Sequence, residues 1–141
     1  MNSYTFEQLE IGQREQFQVS ITEDKVKDFR SLTGDENPLH VDRDYANSKG
    51  HPETVVYGML TASFLSTLAG MYLPGLYSLI HSVEVKFTAP VYVSMGTLTV
   101  TGEITEKDDR FHTIKLKVRI TEPRGKTVCR ASMKVGVINE R

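Results

Sequence analysis

The chain has 141 residues, a net charge of −1, 25% charged residues and a single cysteine, Cys129. That length suits one domain, 1–141, with a real core, and the near-neutral balance argues against nucleic acid as a partner, because phosphates need a basic surface. One cysteine excludes an intrachain disulfide and fits a reducing compartment. Met1–Glu10 holds no basic region followed by an apolar run, so no signal peptide is expected. The longest apolar stretch, Met59–Leu73, is broken by Thr61, Ser63, Ser66 and Thr67 and is too short to cross a bilayer. A soluble cytoplasmic protein with no membrane contact is expected.

In chain order, moderate alternation over Gln13–Ile21 predicts a first strand. Thr22 reads as an N-cap, Val26, Phe29 and Leu32 follow at helical spacing, and Gly34 stops the helix. A tight irregular loop, Asp35–His40, comes next. Asp42 can cap a short helix carrying Tyr45 and Ala46, and the segment around Pro52 is irregular. Gly58 opens a helix of about fifteen residues that ends before Pro74-Gly75. It is apolar on most faces and rich in small residues, as a helix buried all round would be. Beyond Gly75 the period changes to two. Leu79–Thr88, Gly96–Thr105, Thr113–Thr121 and Thr127–Ile138 read as long strands. Turns at Asp108-Asp109 and Pro123-Arg124-Gly125 separate the later ones. A buried helix followed by a meander of antiparallel strands defines an α+β domain with the sheet wrapped around the helix.

The chemistry concentrates in Gly34-Asp35-Glu36-Asn37-Pro38-Leu39-His40. In an unbroken helix, Asp35 and His40 would point about 140° apart. Pro38 prevents that helix and drives Asn37 out of helical geometry, so a carboxylate and an imidazole can converge. These are the groups most used for proton transfer near neutral pH. Turn residues alone explain such a stretch more readily than catalysis does, but the pattern continues: Ala46 follows His40 after five residues, then come Val55-Val56-Tyr57-Gly58-Met59-Leu60, Phe87-x-x-Pro90-Val91 and Gly96.

This series resembles the MaoC-like family, which contains the R-specific enoyl-CoA hydratases. Their signature, Gly-Asp-x-Asn-Pro-aliphatic-His-x5-Ala, is matched at every fixed position from Gly34 to Ala46. The resemblance implies the hotdog fold, at least a homodimer, and a thioester substrate carried on coenzyme A or an acyl carrier protein. It implies hydration of trans-2-enoyl thioesters, or the reverse dehydration, with Asp35 and His40 sharing one water. It assigns the Gly58 N–H, at a helix start, to the developing charge on the thioester oxygen; without the resemblance, Gly58 is equally a packing residue. Asn37 shapes the loop or orients a catalytic group. Ser63 or Ser66 faces the site or bonds the preceding turn. Tyr57 departs from the histidine found before this glycine in many members, so the pocket shape is expected to differ.

Cys129, in an alternating apolar run, is expected to pack. His51, His81 and His112 lack metal-ligand spacing, so surface or packing roles are expected, with no metal and no cofactor. Lys115, Lys117 and Arg119 share one strand face, either solvated or meeting phosphates of the substrate's carrier. Met59, Leu65, Met71, Leu76 and Leu79 are candidates for pocket or core. Two alternatives stand beside the hydratase. A hotdog thioesterase usually needs a carboxylate on or near the central helix. A non-catalytic acyl-binding subunit would not need Asp35 and His40.

Overall fold

The structure is a computed structural model and describes residues 1–139. Strands β1 (Arg14–Ser20), β2 (Ser78–Phe87), β3 (Thr97–Asp108), β4 (Thr113–Thr121) and β5 (Thr127–Val137) form one antiparallel sheet in the order β1-β3-β4-β5-β2. Helices α1 (Glu23–Thr33), α2 (Pro38–Val41), α3 (Arg43–Ser48) and α4 (Gly58–Thr67) precede β2. The sheet packs on α4 and its continuation in the hotdog arrangement. Leu60, Leu65 and Leu68 are buried against Leu98, Val100, Ile104, Leu116 and Met133 of the inner sheet face. β3 approaches the helix closely at Gly102, where a Cβ would lie 2.6 Å from Leu68 Cδ2. Cys129 is fully buried in this core, and burial pushes its thiol pKa up.

Local signals explain the helix limits. The Thr22 hydroxyl accepts from the Lys25 amide at 3.3 Å, and Gly34 ends α1 in the left-handed region at φ 73°, its N–H donating to Arg30 O at 2.8 Å. Asp42 caps α3 by accepting from the Tyr45 amide. The strands keep the expected places, with β3 running three residues further, to Asp108.

Three expectations need correction. The Asp35–His40 stretch is not wholly irregular: Pro38 occupies the first position of the four-residue helix α2, so His40 rides on a helical turn. Proline bars a helix before it but suits a helix start, where its missing N–H would be unpaired anyway. The central helix reaches Tyr72, as its apolar pattern implies, but Leu68–Tyr72 is a π turn in which the Leu73 amide donates to Leu68 O at 2.9 Å. Nor is the helix buried all round. Met59 is 64% exposed and Ser63 and Ser66 are also exposed, so one face looks into open space.

The sheet ends in two edges, and β2 is the unusual one. Its ten residues are almost all exposed, among them Leu79, Ile80, Val83 and Phe87. A bulge interrupts its register on β5 between Ile80 and Ser82. Side chains alternate strictly along a strand, so one inserted residue exchanges the faces. His81 is the insertion, and β5 accommodates it with Gly136, where a Cβ would meet His81 Nε2 at 2.7 Å.

Candidate active site

Asp35 is exposed just after the α1 cap, and its Oδ1 accepts from the Asn37 amide at 3.0 Å. Asn37 in turn caps α2, its Oδ1 accepting from the Leu39 amide at 2.9 Å. Two successive side-chain-to-backbone bonds therefore fold the chain from the carboxylate to the imidazole. His40 is half-buried, and its Nδ1 lies 2.6 Å from the carbonyl oxygen of Val55. A carbonyl can only accept, so Nδ1 carries the proton and Nε2 of the neutral ring keeps its lone pair.

Tyr57 joins these parts. Its ring is 2% exposed and stacks on His40 with centroids 4.2 Å apart, while Phe29 of α1 tilts against it at 5.0 Å. Its hydroxyl donates to the Asp35 carbonyl oxygen at 2.6 Å. Burial, and then the nearby Asp35 charge, raise the phenol pKa, so the group stays a donor. Tyr57→Phe is expected to lower stability by about 1 kcal/mol, the usual net worth of such a bond. Urea unfolding reads this, and an unchanged midpoint would mean the hydroxyl does not hold the loop.

The residue after Tyr57 opens α4. Among the described residues the Gly58 amide has no hydrogen-bond acceptor, as first-turn amides lack one within the helix. The Phe87 ring covers this glycine: a Cβ there would lie 3.1 Å from Phe87 Cε1. Segment 55–57 fixes the spacing between His40 and Gly58. The Val55 amide donates to Leu39 O at 3.1 Å and the Val56 amide to Val91 O at 2.8 Å. The second motif block therefore pins the entry to α4.

Asp35, His40, Tyr57, Gly58, Ser63 and Ser66 all line one cavity of about 760 Å³. Apart from Thr33 its other walls are apolar: Phe29, Met59, Ala62 and Leu65 on the helical side, Ile80, Val83, Val85 and Phe87 on β2. Asn37 does not line it and acts through the backbone. The Ser63 hydroxyl donates to Leu60 O at 2.6 Å, one turn back in its own helix. Of the five apolar candidates, Met59 and Leu65 line the cavity, whereas Met71, Leu76 and Leu79 do not. The His81 bulge is the reason for the last: it puts Ile80, in place of Leu79, on the face of Val83, Val85 and Phe87. No sequence signal marks Ile80 or the Val55 carbonyl, because both depend on pairings made elsewhere in the chain.

The other histidines lie apart from this cavity. His51 Nδ1 is 2.9 Å from the Tyr92 hydroxyl, His81 is exposed, and His112 stacks on Phe6. No group of three or more His, Cys, Asp or Glu among the described residues gathers to hold a metal. No helix among them is long and apolar enough to cross a membrane.

Residues 6–124 match the family model described as MaoC like domain. An (R)-specific enoyl-CoA hydratase of Rhodospirillum rubrum is 36% identical over 105 residues, 72% of this chain and 73% of that protein. One from Aeromonas caviae is 35% identical over 97 residues, 69% of this chain and 72% of that protein. In structure, the unliganded R-hydratase PhaJ1 of Pseudomonas aeruginosa gives a TM-score of 0.88 at 28% identity, with 96% of this chain and 86% of that one covered. The Aeromonas caviae (R)-hydratase gives 0.85 at 31%, covering 92% and 97%. The chain belongs to the MaoC-like family. The relatives named here are hydro-lyases of the enoyl-CoA hydratase kind.

Proposed function

We propose that this protein hydrates trans-2-enoyl thioesters to (3R)-hydroxyacyl thioesters and catalyses the reverse dehydration, using Asp35 and His40 on one shared water. The observation that carries the reading is the placement of both side chains, with the Gly58 amide, around a single apolar cavity. Ionised Asp35 and Nε2 of neutral His40 are both acceptors, so one water can donate a hydrogen to each and turn a lone pair toward the β-carbon. The water oxygen bonds to the β-carbon as one hydrogen passes to the pair. The pair delivers a proton to the α-carbon on the same face, and the other hydrogen stays in the new hydroxyl. No net proton is gained or lost. The Gly58 N–H, at the positive end of α4, receives the charge that develops on the thioester oxygen. The apolar walls take the acyl chain.

A hotdog thioesterase usually needs a carboxylate on or near the central helix; Gly58–Thr67 contains none, and the nearby Asp35 comes with His40 in a loop that such an enzyme does not need. The deciding assay is incubation with crotonyl-CoA, following loss of the enoyl absorbance and resolving the product's configuration. Formation of the (3S) product, or hydrolysis of the thioester without hydration, would overturn the proposal.

We further propose that the working unit is a homodimer. β2 offers a ten-residue edge with exposed Leu79, Ile80, Val83 and Phe87, and such an edge is unusual unless covered. Sedimentation at micromolar concentration is expected to show a species of twice the 15.9 kDa chain mass. A lone species at the chain mass would sink the dimer. Leu79→Arg, which puts charge on that edge outside the cavity, is expected to shift the distribution toward the monomer.

A further inference from the structure

On the solvent face of the sheet, the register sets side chains in rows that run across the strands. Residues directly opposite one another interact, and like charges there are unfavourable. The middle row obeys this. It reads Glu84, Ser132, Lys117, Glu103, Arg14 from β2 to β1, with Arg14 Nε 3.7 Å from Glu103 Oε1. The row one step toward the end of β2 does not. Lys86 stands opposite Arg130 and Arg130 opposite Arg119, all three exposed, and only neutral Thr101 and Gln16 follow. Adjacent strands lie about 4.8 Å apart, so these cations start within about 10 Å of one another. Among the described residues none of the three has an ion pair. Arg119 donates from Nε and Nη2 to Thr127 Oγ1 at 3.1 and 2.8 Å. A groove of about 520 Å³ runs along the row, with Glu84 as the one acid lining it.

The row lies beside a way out of the active site. A second cleft, of about 310 Å³, shares His40, Gly58 and Phe87 with the catalytic cavity and continues along Thr88–Val91. Thr88 is exposed and follows Lys86 by two residues, so it continues the outer face. Its hydroxyl donates to Thr127 O at 2.8 Å, and Thr127 is also the residue that Arg119 holds. The cleft therefore runs from His40 and Gly58 to Thr88, which bonds the same Thr127 that Arg119 holds.

We infer that Lys86, Arg130 and Arg119 form a phosphate subsite: the pantetheine arm of the thioester leaves through the Thr88–Val91 cleft, and the phosphates of coenzyme A lie on this row. The inference rests on the thioester reading above and deepens it by choosing the carrier. Coenzyme A brings a diphosphate and a ribose phosphate to the end of its arm. A carrier protein's arm brings one phosphodiester, a poorer match to a row of cations.

The test compares the parent with Lys86→Gln/Arg119→Gln/Arg130→Gln on crotonyl-CoA and on crotonyl-pantetheine, which has the same reacting end without the phosphates. In the variant KM for crotonyl-CoA is expected to rise at least about fivefold with kcat within about twofold, the sum of a few exposed ion pairs. KM for crotonyl-pantetheine should not move. Added salt should raise KM for crotonyl-CoA in the parent and do so less in the variant. An unchanged KM for crotonyl-CoA, or an equal rise for both substrates, overturns the subsite. A rise as large on crotonyl-carrier protein overturns the choice of coenzyme A. Removing like charges from one row should not cost stability; Lys86→Gln and Arg130→Gln singly, which leave Arg119 on Thr127, carry the same test in smaller steps. Calorimetric titration of coenzyme A itself into parent and variant needs no turnover. It decides the subsite even if the parent hydrates neither thioester, an outcome that would refute the hydratase reading alone. Equal binding to both proteins overturns the inference.

Discussion

Asp35→Asn and His40→Ala are each expected to cut hydration of crotonyl-CoA at least about 100-fold, the low end for removing a positioned acid or base. The asparagine variant is the sharper probe. Asp35 Oδ1 is committed to the Asn37 amide, and an asparagine keeps that bond with its own carbonyl oxygen. Its NH₂ then faces the cavity, so a donor replaces the acceptor that should hold the water's hydrogen. The loop survives while the chemistry is reversed in sense. His40→Ala also removes a ring that stacks on Tyr57 and bonds Val55 O, so circular dichroism and a thermal melt must accompany its kinetics. Near-parental turnover in a folded variant of either kind would remove that residue from the mechanism.

Gly58 supports the second large effect. Gly58→Pro deletes the amide proton and is expected to lower kcat about 10²–10³-fold, equivalent to about 2.7–4 kcal/mol, the cost of losing one oxyanion donor. The backbone can accept the ring. Tyr57, at φ −54° and ψ 123°, already has the extended geometry that proline imposes on its predecessor, and Gly58 is the first residue of α4. Gly58→Ala is the control, since it keeps the N–H and adds only a methyl 3.1 Å from the half-exposed Phe87 ring. A few tenths of an ångström of ring movement relieves that contact. Alanine should therefore retain much more activity than proline. Equal losses in the two variants would make Gly58 a packing residue.

Much of this architecture is legible because the signals are local. Thr22 and Gly34 bracket α1, Asp42 caps α3, and period-two runs give β2–β5 within a few residues. The signature from Gly34 to Ala46 marks Asp35 and His40 without any knowledge of their surroundings. What escapes the sequence is what depends on partners far along the chain. Tyr57 reads there only as a missing histidine; in the fold its hydroxyl holds the Asp35 carbonyl and its ring backs His40. Leu79 alternates correctly with Val83 on paper, but the bulge at His81 hands its place to Ile80. The exposed face of α4 escapes notice because Met59 reads as core and Ser63 and Ser66 read as small packing residues of a buried helix.

The bulge has a consequence for how this strand can change over generations. From Ser82 onward β2 keeps two separate records, odd positions facing the cavity beside α4 and even positions facing solvent. A substitution edits one record and leaves the other intact, so cavity shape and surface charge can drift independently. A single-residue deletion at His81 restores unbroken alternation and shifts one half of the strand against the other. Either the residues beside α4 or those at the start of the strand must then trade sides. The strand is thus tolerant of spelling changes and intolerant of changes in length, and length variation among functional descendants should fall in the turns at 109–112 and 122–126 and spare β2.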